Sequence, residues 1–290
     1  MVNSIDNGEL KLFADDTISS SSAKCLQNVF EKMKRNIKKM QIWFNSNKLT
    51  LNLSKTCYSI FHSKYKSIPD QFDSMTFDNT IIKRTTCTEY LGLSIDEVLS
   101  WKRHVDKIIS SLIKYFNVFY QLRNAVPSKM KLQLFHAYIY SRVCYGLHCY
   151  GFMHKSSMKK LQIICNKLLK ILLKKDRLYP TNMLYKECKL LKVEDMHKFL
   201  ILQFVHKSIY ITMNTPESCK GYFTLNTNAH GINVRDNRLV KIPLVKTTMG
   251  ATGVYWFGAS LWNKLPYHIR NEHDIVKFKK NLKAHILSKY

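Results

Sequence analysis

The sequence is short of acidic residues, glycine and proline, and each shortage limits what the protein can be. Only 20 of its 290 residues are Asp or Glu, against 46 Lys or Arg, which gives a formal net charge of +26. Because such an excess repels itself in a compact fold, we expect a polyanionic partner, of which a nucleic acid is the commonest. With only 9 Gly and 6 Pro, we expect long elements joined by few turns.

The chain also lacks the signatures of secretion and membrane insertion. Its 8 cysteines follow no disulfide-framework spacing and its polar start resembles no secretory signal, so we expect an intracellular protein of the nucleus or cytoplasm. The most apolar stretch, residues 132–153, is interrupted by His136, Arg142 and His148, and we expect no membrane partner. No P-loop, Rossmann or Gly-x-Ser-x-Gly fingerprint occurs, so nothing indicates a nucleotide switch or a serine hydrolase.

The periodicity of residues 1–98 predicts an α+β region. Alternation within residues 10–19 predicts a β-hairpin. Apolar residues at helical spacing over residues 26–44 predict a helix, for which Ser21 or Ser22 could be the N-cap. Further strands are predicted over residues 49–53, 57–62, 75–77, 80–82 and 89–95.

From Trp101 onward the apolar pattern becomes helical. We divide this part into a helical region over residues 99–178 and a helical C-terminal extension over 179–290. Within the extension, residues 214–253 are polar and poorly periodic and predict an irregular loop. The predicted helices span residues 101–126, 128–150, 156–173, 181–188, 193–211 and 274–288.

The third of these helices is rich in lysine and has no interleaved acid. Lys159, Lys160, Lys167 and Lys170 lie outside its apolar stripe. A solvated charged face is one interpretation. Because no Glu neutralises these lysines within the helix, a surface that follows phosphates is the other.

The helix predicted before it contains cysteines, histidines and tyrosines. Cys144 and Cys149 lie near three histidines, but the spacing fits no zinc pattern, and buried thiols with core histidines are the favoured interpretation. The tyrosines stand at helical spacing, which predicts core packing rather than base stacking. The residues concerned are His136, His148 and His154, and Tyr138, Tyr140, Tyr145 and Tyr150.

Two adjacent carboxylates, Asp15 and Asp16, occupy the tip of the first predicted hairpin. Such a pair repels itself unless a cation lies beside it, and a bare pair is most often a solvated turn. The chemical alternative is a two-metal site, in which ions about 3.5–4 Å apart stabilise the attacking and leaving oxygens. Mg²⁺ takes one or two carboxylates together with substrate phosphates.

The surroundings of this pair resemble the reverse transcriptases of non-LTR retrotransposons, which are LINE-like and here jockey-type. Residues 13–16, Phe-Ala-Asp-Asp, are similar to the FADD motif of that family. Further similar segments follow in the same order through most of the chain. They are Trp43-Phe44, residues 47–56, residues 90–96, Trp101 with His104, residues 262–266 and residues 278–283.

The resemblance implies a fold and an activity. Residues 1–98 would be part of a reverse-transcriptase palm, an antiparallel sheet plus helix, followed by a thumb-like region over 99–178. The activity would be that of an RNA-directed DNA polymerase with Mg²⁺ as cofactor. Its partners would be an RNA template and a DNA primer, or an RNA–DNA duplex, and deoxynucleotides.

The resemblance also implies roles for single residues. Asp15 and Asp16 would be metal ligands, and Lys55 would protonate the pyrophosphate leaving group. A second set would support the primer end, where a glycine permits close backbone approach. That set is Tyr90, Leu91 and Gly92. A solvated loop lysine and a bent core strand are the structural alternatives.

Part of the family pattern is missing from this sequence. A further metal-binding Asp and the fingers lie well upstream of FADD in the family, and only twelve residues precede Phe13 here. We therefore expect a polymerase fragment with negligible activity alone. The alternatives are a non-catalytic basic RNA- or DNA-binding module, or a decayed mobile-element remnant whose incomplete sheet would expose an unpaired edge.

Overall fold

The computed structural model describes residues 9–14, 16–49, 52, 55–77, 80–211, 216–226 and 238–290. They divide into two compact units, Met1–Thr88 and Glu89–Tyr290. Helices and short antiparallel sheets both occur, which confirms the α+β class. The division falls earlier than the boundary predicted near residue 98, because segment 89–98 belongs to the helical unit. Among the described residues, no helix is both long and apolar enough to cross a membrane.

The first unit begins with the predicted hairpin. Strand β1 (Glu9–Phe13) pairs antiparallel with β2 (Asp16–Ser20), and Phe13 lies opposite Asp16. The alternation of apolar and polar residues over this segment was therefore a sufficient signal for its strands.

The helix predicted after the hairpin is confirmed as α1 (Leu26–Ser46). Its N-cap is Cys25, and no side chain caps it, so the prediction of a Ser21 or Ser22 cap was wrong. Ser21 contributes differently, since its Oγ accepts a hydrogen bond of 3.1 Å from Nδ2 of the buried Asn36.

A second hairpin follows in the same unit. Strands β3 (Ser74–Phe77) and β4 (Thr80–Lys83) confirm the predicted pair, while the turn at residues 78–79 lies outside the described residues. Residues 50, 51 and 53 of the strand predicted over 49–53 also lie outside them.

The strand predicted over residues 57–62 was wrong. Tyr58 makes only an isolated bridge to Arg84, and its hydroxyl donates to the Phe72 carbonyl over 2.7 Å. The Tyr58 side chain thus anchors this segment, which forms no β-ladder.

One face of α1 packs on the β3–β4 hairpin. Ile37 is buried against Met75, Phe77 and Ile82. This small core is edged by partly buried residues from α1 and the following segment. They are Phe30, Met33 and Tyr58.

The second unit begins within strand β5 (Cys87–Tyr90) and, after a hairpin, continues almost entirely as helix. Strands β5 and β6 (Leu93–Asp96) form the hairpin. The helices are α2 (Lys102–Ile113), α3 (Tyr115–Ala125), α4 (Ser128–Phe135), a π-helical turn (His136–Tyr140), α5 (Ser141–Cys144), α6 (Leu147–Tyr150), α7 (Lys155–Leu172), α8 (Thr181–Glu187), α9 (Val193–Tyr210), a 3₁₀ turn (Glu217–Cys219), α10 (Thr248–Ala251), α11 (Val254–Asn263), α12 (Tyr267–Arg270) and α13 (Ile275–Leu287).

Several predicted elements are interrupted. The single strand predicted over 89–95 is a hairpin that turns at residues 91–92. The helix predicted over 101–126 is two helices that meet at Lys114, and the one predicted over 128–150 is broken at Gly146, whose φ is +68°. The spacing of apolar residues does not reveal a break in a helix when the segments before and after the break keep the same apolar face.

The ends of α7, α8, α9 and α13 agree with their predictions within two residues. In the described part of 214–253, only short helical turns and a bridge between Leu225 and Val240 occur, in agreement with an irregular loop. Helix α11 was missed, because its sequence is apolar on nearly every side and gives no amphipathic period. Its Trp262 and Ala259 are fully buried in the core of the unit.

Candidate nucleic-acid interface

The tip of the β1–β2 hairpin presents a carboxylate to solvent. Asp16 is the first residue of β2 and is exposed. Ala14 precedes it with a φ of +51°, in the left-handed region that favours tight turns. Asp15, the other member of the pair, lies outside the described residues.

The described residues do not by themselves fit a Mg²⁺ site. Within them, no group of three or more His, Cys, Asp or Glu side chains is arranged to hold a metal ion. Asp16 therefore stands as a single described carboxylate, and no catalytic step through a metal follows from this geometry.

Lys55 is exposed in a turn. Its backbone N–H donates to the Asn52 carbonyl over 3.2 Å, and the Thr56 hydroxyl donates to the same oxygen over 2.9 Å. No contact of the described residues brings Lys55 to Asp16. The role inferred for its ammonium group from the resemblance remains a prediction.

The primer-end segment forms the turn of the β5–β6 hairpin. Leu91 and Gly92 have φ values of +47° and +76°, the pair of left-handed residues typical of a type I′ turn. Gly92 is exposed, and the Tyr145 hydroxyl donates to the Leu91 carbonyl over 2.5 Å. The turn thus lies at the surface and is anchored by Tyr145, a residue 54 positions away in the sequence.

The connection from this hairpin into α2 is fixed by Asp96. Its carboxylate accepts hydrogen bonds of 2.8 Å from the backbone N–H groups of Ser100 and Trp101. Trp101 is buried in a left-handed conformation with a φ of +60°. These bonds set where α2 begins, and therefore which of its residues face the hairpin.

The lysines of α7 lie on a face opposite its buried side chains. Leu161 and Leu168 are fully buried, while Lys159, Lys160 and Lys167 are exposed. In the described part of the chain these three lysines have no ion pair. The helix accordingly presents an unneutralised positive face.

Two other lysines of this region are engaged. Lys170 donates to the Arg177 carbonyl over 2.7 Å. Lys175 lies 2.9 Å from Glu187 of α8, and the Tyr179 hydroxyl together with this ammonium holds the pKa of Glu187 below its usual value. Helix α7 contains no acidic residue, but Glu187 of α8 neutralises Lys175 just beyond the C-terminal end of α7.

The tyrosines predicted to pack in the core divide into two groups. Tyr150 is fully buried and Tyr140 half-buried, as predicted, but Tyr138 is 45% exposed and Tyr145 57% exposed. The prediction was wrong for the last two because the π-helical turn and the break at Gly146 change which face points inward.

The nearby cysteines and histidines divide similarly. Burial raises the pKa of the half-buried Cys144 to about 11, whereas Cys149 is exposed. His136 and His154 are exposed rather than in the core. The His154 side chain caps α7 by accepting from the Ser156 backbone N–H.

Two curated proteins are similar to this chain. An RNA-directed DNA polymerase from the mobile element jockey of Drosophila funebris is 20% identical over 174 residues, and that of Drosophila melanogaster is 22% identical over 161 residues. The matches cover 58% and 54% of this chain but only 19% and 17% of those proteins. The chain thus matches about a fifth of their length.

No protein-family model matches the chain, and no solved structure matches it. The relationship is therefore supported by the similarity to the two polymerases and by the order of the similar sequence segments. This similarity confirms the resemblance to jockey-type reverse transcriptases. The chain is related to the RNA-directed DNA polymerases of jockey-like non-LTR retrotransposons.

Proposed function

We propose that this chain is a part of a retrotransposon RNA-directed DNA polymerase that contributes a nucleic-acid-binding surface. The observation that supports this most is the similarity to two jockey polymerases over more than half of the chain. The partners in this proposal are an RNA template and a DNA primer or their duplex.

The helical unit would do the binding. Its α7 face carries exposed lysines without ion partners among the described residues, and a chain of net charge +26 gains by releasing counterions from phosphates. The surface turn at Tyr90, Leu91 and Gly92 would support the primer end. In this proposal Asp15 and Asp16 belong to a metal site that needs further ligands, and Lys55 acts at the leaving group.

Binding can be tested by titrating a labelled RNA–DNA duplex at several salt concentrations. We expect replacement of Lys159, Lys160 and Lys167 by Gln to weaken binding and to reduce the salt slope by about one unit for each phosphate-contacting lysine.

A matched control separates the α7 face from overall charge. Replacing Lys277, Lys280 and Lys289, which are exposed on or just after α13, removes the same charge elsewhere. Equal losses in the two triple variants would reject a specific role for α7. No binding by the unaltered chain would reject the proposed function.

Catalysis is tested separately by primer extension with Mg²⁺ and deoxynucleotides. We expect the 290-residue chain alone to extend no primer, since in this proposal the metal site needs ligands besides Asp15 and Asp16. Extension that is lost in Asp15→Ala would contradict this expectation and would place the pair in a working site. A purely binding role predicts that Asp15→Ala leaves duplex affinity unchanged.

A further inference from the structure

An open cleft of about 390 Å³ lies in the helical unit where three elements meet. The β5–β6 turn, α2 and α5 supply its walls. No acidic side chain lines it. Its lining includes Gly92, His104, Lys107, Ser141, Arg142 and Tyr145.

His104 lines this cleft, but its ring nitrogen Nε2 is buried. The residue is 4% exposed, and its Nδ1 accepts a hydrogen bond of 3.3 Å from the Ser94 backbone N–H. In the neutral ring the proton therefore lies on Nε2. Burial and the nearby Lys107 lower the pKa of His104, which favours that neutral form. Among the described residues Nε2 has no hydrogen-bond partner, and a buried donor without a partner costs stability. Because this atom is not accessible, His104 shapes the wall of the cleft and does not itself bind a ligand there.

The cations of the cleft differ in availability. Lys107 lies 2.6 Å from the Glu89 carboxylate, which neutralises it. Arg142 is exposed and lies against the Tyr115 ring, with Nη2 3.0 Å from the Tyr115 hydroxyl. It has no carboxylate partner in the described part of the chain. The guanidinium thus retains donors for an anion, and guanidinium groups suit phosphate.

Tyr145 supplies an aromatic surface at the same place. It is 57% exposed, yet its hydroxyl is anchored to the Leu91 carbonyl. The Cβ position of Gly92 lies 3.5 Å from its ring. A fixed, exposed ring beside an unpaired cation is the combination with which proteins hold single nucleotides, by stacking and by charge.

We propose that this cleft binds one nucleotide unit of a nucleic-acid strand, with the phosphate at Arg142 and the base on the Tyr145 ring. This inference rests on the proposed function and names a site within it. It assigns binding to two residues that the sequence segments similar to reverse transcriptases did not single out for it. Neither Gly92 nor the α7 lysines supply the ring or the guanidinium.

The test compares two arginines that have the same kind of neighbour. Arg142 lies over Tyr115 in the cleft, and Arg123 lies over Tyr120 outside it, with its guanidinium 3.7 Å from the ring centroid. Binding of a fluorescent single-stranded oligonucleotide is measured by anisotropy with the full chain. We expect Arg142→Ala to weaken binding about tenfold, the value of one charge-assisted hydrogen bond, and Arg123→Ala to weaken it less than about twofold.

Stacking is tested at Tyr145. We expect Tyr145→Leu to weaken binding about tenfold, within the range measured for one base on one ring, while Tyr145→Phe keeps most of the affinity. An oligonucleotide that contains 5-iodouracil should crosslink to Tyr145 on irradiation, with the adduct located by mass spectrometry. Circular dichroism of each variant verifies that it is folded.

The possible outcomes distinguish rejection of the cleft from rejection of the proposed function. If the chain binds the strand but Arg142→Ala and Arg123→Ala behave alike and no adduct forms at Tyr145, the cleft is rejected while the proposed function stands. If millimolar free deoxynucleoside triphosphate prevents the crosslink without displacing the strand, the cleft takes a free nucleotide and the proposal is overturned. No binding by the unaltered chain rejects both.

Discussion

The two units of the molecule bury very different amounts of apolar side chain. Among the described residues, the core of the first unit has four buried members, whereas that of the second has 34. Leu12, Phe13 and Ile42 of the first unit are each 49–59% exposed. Ordering a residue costs about 1–2 kcal/mol, so a core this small does little to offset the ordering of its unit.

The Asp15-Asp16 motif and the large hydrophobic core belong to different units. The hairpin that resembles the FADD motif lies in the sparsely packed unit, while the lysine face and the cleft lie in the unit with the large core. Under the proposed function, the lysine face and the cleft would bind nucleic acid, and a binding surface benefits from a rigid support. We therefore expect the helical unit to behave as an independent folding unit. Two experiments compare the two units directly, and two more probe the packing of the helical unit.

The largest expected effect is obtained by dividing the chain. Residues 89–290 expressed alone should unfold in one cooperative thermal transition, since the whole 34-residue core lies within them. Residues 1–88 alone should show no cooperative transition. Calorimetry measures both pieces, and a sharp transition in the shorter piece would overturn the contrast.

The second-largest expected effect is the difference in destabilisation between two matched core truncations, one in each unit. Leu282 in α13 is fully buried and Ile82 in β4 is 1% exposed. Leu282→Ala should destabilise the helical unit by about 2–5 kcal/mol, because the dense surroundings cannot collapse into the cavity. Ile82→Ala should leave the main transition unchanged. Chemical denaturation of the full chain measures both, and a shared loss would show that the units unfold together.

Acid should weaken the helical unit through His197. Burial, followed by His148 and Lys198, lowers the pKa of His197 to about 4 from its usual 6.5. A lowered folded-state pKa means that the unfolded chain takes the proton first. Stability is therefore full above pH 6.5 and lost as the pH falls towards 4, by about 3 kcal/mol at most.

The control for this pH dependence is His197→Phe. Its ring preserves the aromatic neighbours Phe152 and Phe257 but cannot titrate. Denaturant midpoints measured between pH 7 and 4.5 should fall less steeply in this variant. Parallel curves for the two proteins would show that other groups cause the acid loss.

The smallest expected effect concerns two glycines with positive φ. Gly146 has a φ of +68° and a Cβ there would lie 2.5 Å from Leu93 Cδ2, whereas Gly221 has a φ of +79° and nothing within 4 Å. Both Ala variants carry the left-handed penalty of about 1–2 kcal/mol. Gly146→Ala should cost about 1 kcal/mol more because Leu93 must move. Equal thermal shifts would show that the Leu93 side chain yields freely.

Local pattern was a good guide where an element is amphipathic by itself. The β1–β2 strands, α1 and α7 could be read from alternation or helical spacing alone. It failed at α11, whose residues are apolar on all sides, and at Tyr138 and Tyr145, whose exposure follows from a π-helical turn and a glycine break. The lineage could be read because residues 13–16 keep their order relative to later segments.

The sequence by itself determined the charge, the α+β class and the kinship with jockey-like polymerases, since these depend on residue identity and order. Only the tertiary structure decided which groups work together. Glu187 neutralises Lys175 across two helices, and Tyr145 reaches a turn 54 residues away. The cleft of His104, Arg142 and Tyr145 exists because the Asp96 bonds and the break at Gly146 aim separate segments at one place. Such convergence depends on distances in space that a linear pattern does not contain.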